Sequence, residues 1–213
     1  EESSNGFEAG FRFNDNGWRA ELIGFYTDFD DLLVPDNVGG GGIEGKTENA
    51  GDIVSSGIEI GAAYDPGFVH NWGFSVPSHV AFTFSNVSLD GDANSLDDES
   101  IFAGGQDGNR VPYVPEIQLT ASTGIELAKW AVFVTGTFVD ETFTSASESP
   151  ISVSPDGTPN ANYGMTDSYF VFDVSAKYNL GERHSAFINM HNVTDRDYIV
   201  SRHPIGPRPG KPF

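Results

Sequence analysis

Three sets of side chains carry the chemistry that this sequence makes available. Five histidines, His70, His79, His184, His191 and His203, could ligate a metal or move a proton. No two of them fall at a metal-ligand spacing on one face, so no metal site is expected from them. The densest group of oxygen donors is Asp90, Asp92, Asn94, Asp97, Asp98 and Glu99. An EF-hand loop opening at Asp90 would need Gly at its sixth position and Glu at its twelfth, where this chain has Ser95 and Ile101. The run reads as a solvated acidic loop, with a loose Ca²⁺ ion that orders it as the lesser reading. The third set is cationic: Arg196, Arg202, Arg208 and Lys211 put four of the 11 basic residues in the last 20 positions.

Catalytic signatures are missing. There is no GxSxG, HExxH, P-loop or GxGxxG. The glycine run at 39–42 lacks a following Lys-Ser/Thr and a helix, so it reads as a flexible loop. No enzyme activity, and no catalytic residue or cofactor, is expected. The 213 residues carry 31 Asp+Glu against 11 Lys+Arg, a formal charge of −20, which opposes nucleic-acid binding. With no Cys there is no disulfide, thiolate metal site or thiol chemistry. Aromatics make up 13%, with 17 Phe, which opposes a disordered acidic chain. No apolar run is long enough for a transmembrane helix.

The elements that must position these groups alternate at period two. Phe7, Ala9, Phe11 and Phe13 alternate with Glu8, Gly10, Arg12 and Asn14, and Asp15-Asn16-Gly17 marks a hairpin turn. Further strands are expected over 18–34, 54–64, 72–87, 117–122, 130–143, 169–178 and 186–191. Links are short at 14–17, 65–71, 124–129 and 180–184. They are long and polar at 35–51, 88–111 and 144–166, with a tail from 194. Strict alternation of short and long links puts all the long ones at one end of an antiparallel sheet. That is the layout of an outer-membrane β-barrel. Trp18, Trp72, Trp130 and Tyr178 lie beside short turns, where an aromatic girdle would be. A water-soluble β-sandwich with long loops shares the strand pattern.

Several stretches together resemble the C-terminal barrel of TonB-dependent outer-membrane receptors. Phe7-Glu8-Ala9-Gly10-Phe11-Arg12 is similar to the family's strand opening, and Phe25 to Asp31 to its aromatic, acidic strand end. Ser56-Gly57-Ile58-Glu59 resembles a strand start, and Val111-Pro112-Tyr113-Val114-Pro115 the VPxxP lead-in to a late strand. The fullest match is Asn189 to Tyr198, NMHNVTDRDY, followed by SRHPIGPRPGKP from Ser201 to Pro212, which is similar to receptors of the ferric-citrate and ferric-siderophore type. The resemblance implies an all-β, antiparallel, up-and-down transmembrane barrel of about 22 strands closed around a plug. Residues 1–213 would supply about eight strands of it, with the plug, the energy-coupling box and the last strand outside this chain. Pro204, Pro207, Pro209 and Pro212 exclude a barrel strand leading to Phe213.

The resemblance implies a receptor in the outer membrane of a Gram-negative bacterium, importing a ferric chelate with energy from the TonB–ExbB–ExbD complex through the absent N-terminal part. Its surroundings would be outer-membrane lipid and lipopolysaccharide. Another cargo (a glycan, cobalamin or a nickel complex) and a soluble acidic β-rich binding domain are the alternatives. Ferric chelates of carboxylate type are anions, for which Arg beside aromatics is a natural ligand set. Arg202, His203 and Arg208, with Arg110 and Tyr113, are therefore expected to line part of the outer mouth. The competing reading pairs these basic groups with acidic loops or lipopolysaccharide phosphates. Glu8, Arg12, Glu59, Asp173 and Lys177 are expected to face the lumen, as structural or gating groups.

Overall fold

The computed structural model describes residues 1–35, 47–93, 100–154, 156–181 and 183–212. The glycine run at 39–42, the acidic positions 94–99 and Phe213 lie outside the described residues. In chain order the elements are β1 (Ser3–Asp15), β2 (Trp18–Asp30), β3 (Leu33–Pro35), β4 (Thr47–Asn49), β5 (Ile53–Tyr64), the helical turn α1 (Pro66–Val69), β6 (Ser78–Leu89), β7 (Ile117–Glu126), β8 (Trp130–Val139), β9 (Tyr169–Asn179), β10 (Ser185–Met190), β11 (Ile199–Ser201) and β12 (Arg208–Pro209). Eight of these form one antiparallel sheet in the order β1-β2-β5-β6-β7-β8-β9-β10. Each strand pairs with its neighbour in sequence, and β1 and β10 are the two edges. The ribbons β3–β4 and β11–β12 stand apart from it.

Register brings one apolar row of each strand onto a common face. At mid-sheet Leu22 pairs with Ile60, Ile60 with Phe82, Phe82 with Leu119, Leu119 with Phe138 and Phe138 with Phe170. The opposite face carries Glu8, Arg12, Glu59, Thr83, Gln118, Thr120, Thr135, Asp173 and Lys177, with small residues between them. Glu8, Arg12, Glu59, Asp173 and Lys177 therefore share one face, as expected, whereas β2 has a mixed pattern and places Ile23, Phe25 and Phe29 on that face too. Gly57 lies on this polar face because the Phe25 ring and the Phe84 carbonyl fill the space that a Cβ would need. The first seven sheet strands run to 10–13 residues, against the roughly 9–11 that cross a hydrocarbon core.

No second layer covers the sheet among the described residues. Phe7 and Phe11 are 71% and 67% exposed. The buried apolar cluster lies instead at the long-link end, where Ala50, Ile53, Leu89, Phe102 and Ala146 pack with Phe29, Val87 and Val111. In water an apolar face must be covered by another element. A continuous bare belt, combined with a core built in the loops, fits a sheet whose apolar face meets lipid.

Several elements differ from expectation, among them β7, which runs to Glu126 rather than 122. The strand expected over 72–87 begins at Ser78, because 65–77 is a longer structured link containing α1. The strand over 18–34 ends at Asp30, and Leu33–Pro35 turns off to pair with Thr47–Asn49. The strand over 130–143 ends at Val139. Among the described residues the tail adds no strand to the sheet and forms the small β11–β12 ribbon, with Pro209 in it.

Candidate functional site

The tail after β10 folds back over the link that joins β8 to β9, and one buried side chain fixes the turn. Asn192 has φ +49° and is 2% exposed. Its Oδ1 accepts the Arg196 N–H at 2.9 Å, and its Nδ2 donates to the carbonyls of Arg196 and Lys211 at 2.9 and 3.0 Å. Further on, the Tyr198 ring stacks on Tyr169 at 4.0 Å. Gly210 packs so closely on Tyr198 that a side chain there would enter the ring. The motif over 189–198 thus has a physical role: it bends the chain and anchors the tail.

Tyr113 joins this tail to the rest of the long links. It has φ +63° between two prolines, and its N–H donates to the Phe143 carbonyl at 3.0 Å. Its phenol oxygen accepts the backbone N–H groups of Arg202 at 3.2 Å and His203 at 2.9 Å. Three of the five expected site residues, Tyr113, Arg202 and His203, therefore meet. Tyr113 acts through its oxygen on the tail backbone.

Arg202 is held from two sides. Its Nε donates to the Met165 carbonyl at 2.7 Å and its Nη1 to Ser152 Oγ at 3.3 Å. Arg196 and Arg202, with Glu141, Pro150, Met165, Thr166, Asp167 and Ser168, line an open hollow of ≈ 480 Å³. Arg196 was not among the expected site residues. The signal that would have found it is the turn in 192–196 that Asn192 imposes, which brings it beside Arg202.

Arg110 stands apart from this hollow. Its N–H donates to Glu148 Oε1 at 2.8 Å, its Nη1 lies 3.4 Å from Glu116 Oε1, and its guanidinium sits over the Phe143 ring at 5.1 Å. It braces the links 88–111 and 144–166 together, as the competing reading of paired basic groups had it. Arg208 lies exposed on β12, opposite Ser201.

His203 is 8% exposed and its ring meets Tyr163 edge-on at 5.5 Å. Burial pushes its imidazole below the usual histidine range. The folded tail then binds protons less well than the unfolded one. Tail docking should be unaffected above about pH 6.5 and should weaken as pH falls below it. Limited proteolysis within 199–212 is expected to be faster at pH 5.5 than at pH 7.5, and His203→Gln should remove the difference. Equal protection at both pH values in the parent protein would contradict this.

Two carboxylates of the acidic link bond within it. Asp107 Oδ1 accepts the Gly91 N–H at 3.0 Å, and Asp92 Oδ1 accepts the Asp107 N–H at 3.2 Å. Among the described residues no group of three or more His, Asp or Glu is arranged to hold a metal ion.

The family model described as "TonB dependent receptor-like, beta-barrel" matches residues 1–193. Among solved structures, the chain is similar to the unliganded ferric citrate transporter FecA, with TM-score 0.72 and 18% identity over 98% of this chain and 29% of that one. It is also similar to the ferric yersiniabactin uptake receptor FyuA from Yersinia pestis, with TM-score 0.65 and 18% identity over 98% and 28%. The copper transporter OprC aligns with TM-score 0.67 and 15% identity over 98% and 30%. The chain thus spans under a third of the length of these structures. No curated protein matches it.

Proposed function

The chain belongs to the TonB-dependent receptor β-barrel family, and from that premise we propose that it is part of an outer-membrane receptor that binds a ferric chelate, either a ferric siderophore or ferric citrate, and imports it. The family consists of transporters and receptors rather than enzymes. Its members lie in the outer membrane of Gram-negative bacteria. In this reading the apolar belt faces lipid and the long links form the outer mouth. Further strands and an N-terminal plug complete a barrel of about 22 strands. Energy comes from TonB–ExbB–ExbD through that N-terminal part.

The observation that carries the cargo class is the hollow in which Arg196 and Arg202 stand together at the long-link end. A guanidinium offers five N–H donors in a planar fork, suited to the carboxylates of an iron-loaded chelate. Tyr113 supports the site by holding the backbone of Arg202 and His203. Ferric cargo named for FecA and FyuA supports the same class.

One observation favours a second reading. The long links carry Asp90, Asp92 and Asp107 on this same end. An acidic mouth repels anions and suits a neutral or cationic cargo such as cobalamin, a glycan or a nickel complex.

The test is equilibrium binding of radio-iron citrate and ferric siderophores to the full-length receptor in detergent. Saturable binding, competed by iron-loaded but not by iron-free chelate, is expected. Binding of cobalamin or an oligosaccharide, with none of the ferric chelates retained, would overturn the ferric reading.

A further inference from the structure

The carboxylate of Asp173 is divided between two partners. Asp173 lies on the polar face of β9, opposite Thr135 of β8, and in the barrel reading that face lines the lumen. The β9–β10 ladder ends at the pair Met190–Val174. Beyond it the chain leaves the sheet, and Asn192 turns it at φ +49°. A residue other than glycine keeps that conformation only where its surroundings fix it. Asp173 supplies the fixing bond. Its Oδ1 accepts the Asn192 N–H at 2.8 Å, and the Phe172 carbonyl accepts the next N–H, of Val193, at 2.8 Å. The other oxygen, Oδ2, lies 3.1 Å from His191 Nδ1, and both of these side chains are partly exposed.

From Asn192 the bonds continue outward. Its amide grips the backbone of Arg196 on both sides, Oδ1 accepting the N–H at 2.9 Å and Nδ2 donating to the carbonyl at 2.9 Å. Arg196 is one of the two arginines in the hollow. An unbroken run of hydrogen bonds, His191–Asp173–Asn192–Arg196, therefore joins the polar wall of the sheet to the hollow at the long-link end. Arg202 is held by a different set of groups, Tyr113, Met165 and Ser152. One arginine is thus placed from the wall and the other from the links.

We propose that Asp173 is a positioning residue for the cargo site: it fixes Asn192, and through Asn192 it sets where the Arg196 guanidinium stands against the chelate. The proposal rests on the reading of the hollow as the ferric-chelate site. A guanidinium binds a carboxylate through a planar fork, so its value depends on where its backbone is placed. Removing the Asp173 carboxylate takes the acceptor from the Asn192 N–H at the turn that carries Arg196. The loss should be felt at Arg196 and not at Arg202.

Two measurements on the full-length receptor in detergent test this. The first is equilibrium binding of radio-iron citrate and of a carboxylate siderophore loaded with radio-iron. Asp173→Ala should weaken binding about 3- to 10-fold, the net worth of one hydrogen bond. Asp173→Asn keeps an acceptor oxygen and should recover most of the affinity. In an Arg196→Ala receptor, Asp173→Ala should have no further effect. An equal loss in both backgrounds assigns Asp173 to general support of the tail and overturns the proposal. Unchanged affinity for Asp173→Ala in the parent background also overturns it. Asp173→Thr, suited to a strand but one bond short of Asn192, replaces the alanine variant if heat-modifiable gel mobility shows that it does not fold. The second measurement is the mobility of a nitroxide at Arg196→Cys, which needs no cargo. Asp173→Ala should release the label and Asp173→Asn should not, while a label at Ile151→Cys on the link 144–166 stays as it was. A label at 196 that remains ordered in Asp173→Ala overturns the proposal. Release at 196 in a receptor that retains neither chelate overturns the ferric reading and leaves the positioning of Arg196 by Asp173 standing.

Discussion

Ile60→Arg is expected to destabilise the folded receptor by about 2–4 kcal/mol in phospholipid vesicles. Ile60 stands at the centre of a belt row that runs from Leu22 through Phe82 and Leu119 to Phe138 and Phe170. An arginine there must leave its charge in hydrocarbon or distort the bilayer to reach water. The cost should fall with depth. Ser56→Arg, on the same face nearer the long links, is expected to cost about 0–1 kcal/mol. Thr83→Arg, on the polar face opposite Glu59, should stay within about 0.5 kcal/mol. Urea unfolding in vesicles, followed by heat-modifiable gel mobility, measures all three. A packed soluble core penalises arginine by burial rather than by membrane depth. Equal costs at Ile60 and Ser56, or a cost at Thr83 matching that at Ile60, would therefore refute the lipid-facing belt.

The sheet was legible because its signal is local. Side chains alternate at period two, and a one-residue slip would send Ile58 and Ile60 to the polar face beside Glu59. Eight strands, their order and their facing follow from that alternation and from the rhythm of the links. The link 65–77 misleads for the same reason. Trp72, Phe74 and Val76 alternate with Gly73, Ser75 and Pro77 and so imitate a strand. What prevents one is the Asp65 carboxylate, which captures the N–H of Val76 eleven residues away. The core of the long links was not legible at all. Leu89, Phe102 and Ala146 meet only when separate links fold onto one another.

The candidate site was half legible. Charge and aromaticity pick out Tyr113, Arg202 and His203, and the fold brings them together. The same criteria pick out Arg110, which Glu116, Glu148 and Phe143 hold as a brace. Composition cannot separate an arginine facing a ligand from one facing its own loop. The difference lies in which carboxylates the backbone delivers to it. Arg196 was passed over because its place depends on the buried amide of Asn192.

That distinction sets the second large effect. Arg202→Ala is expected to weaken ferric-chelate binding by about 10- to 100-fold, corresponding to about 1.4–2.8 kcal/mol. Two donors of the guanidinium hold Met165 O and Ser152 Oγ, fixing its plane at the edge of the hollow. The remaining N–H groups are available to a carboxylate, and charge-assisted bonds of this kind are worth about 1.5–3 kcal/mol. Arg202→Lys keeps the charge and loses the fork, so it should recover part of the affinity. Arg110→Ala should leave affinity near the parent value and increase proteolysis of the links 88–111 and 144–166. Arg208→Ala should have a smaller effect than Arg202→Ala, because Arg208 lies outside the hollow. Equilibrium binding to the full-length receptor, with proteolysis of 199–212 as the check on tail docking, separates lost contact from lost structure. Affinity within twofold of the parent for Arg202→Ala, with the tail still protected, would remove this arginine from the site. The acidic links would then become the better guide to the cargo.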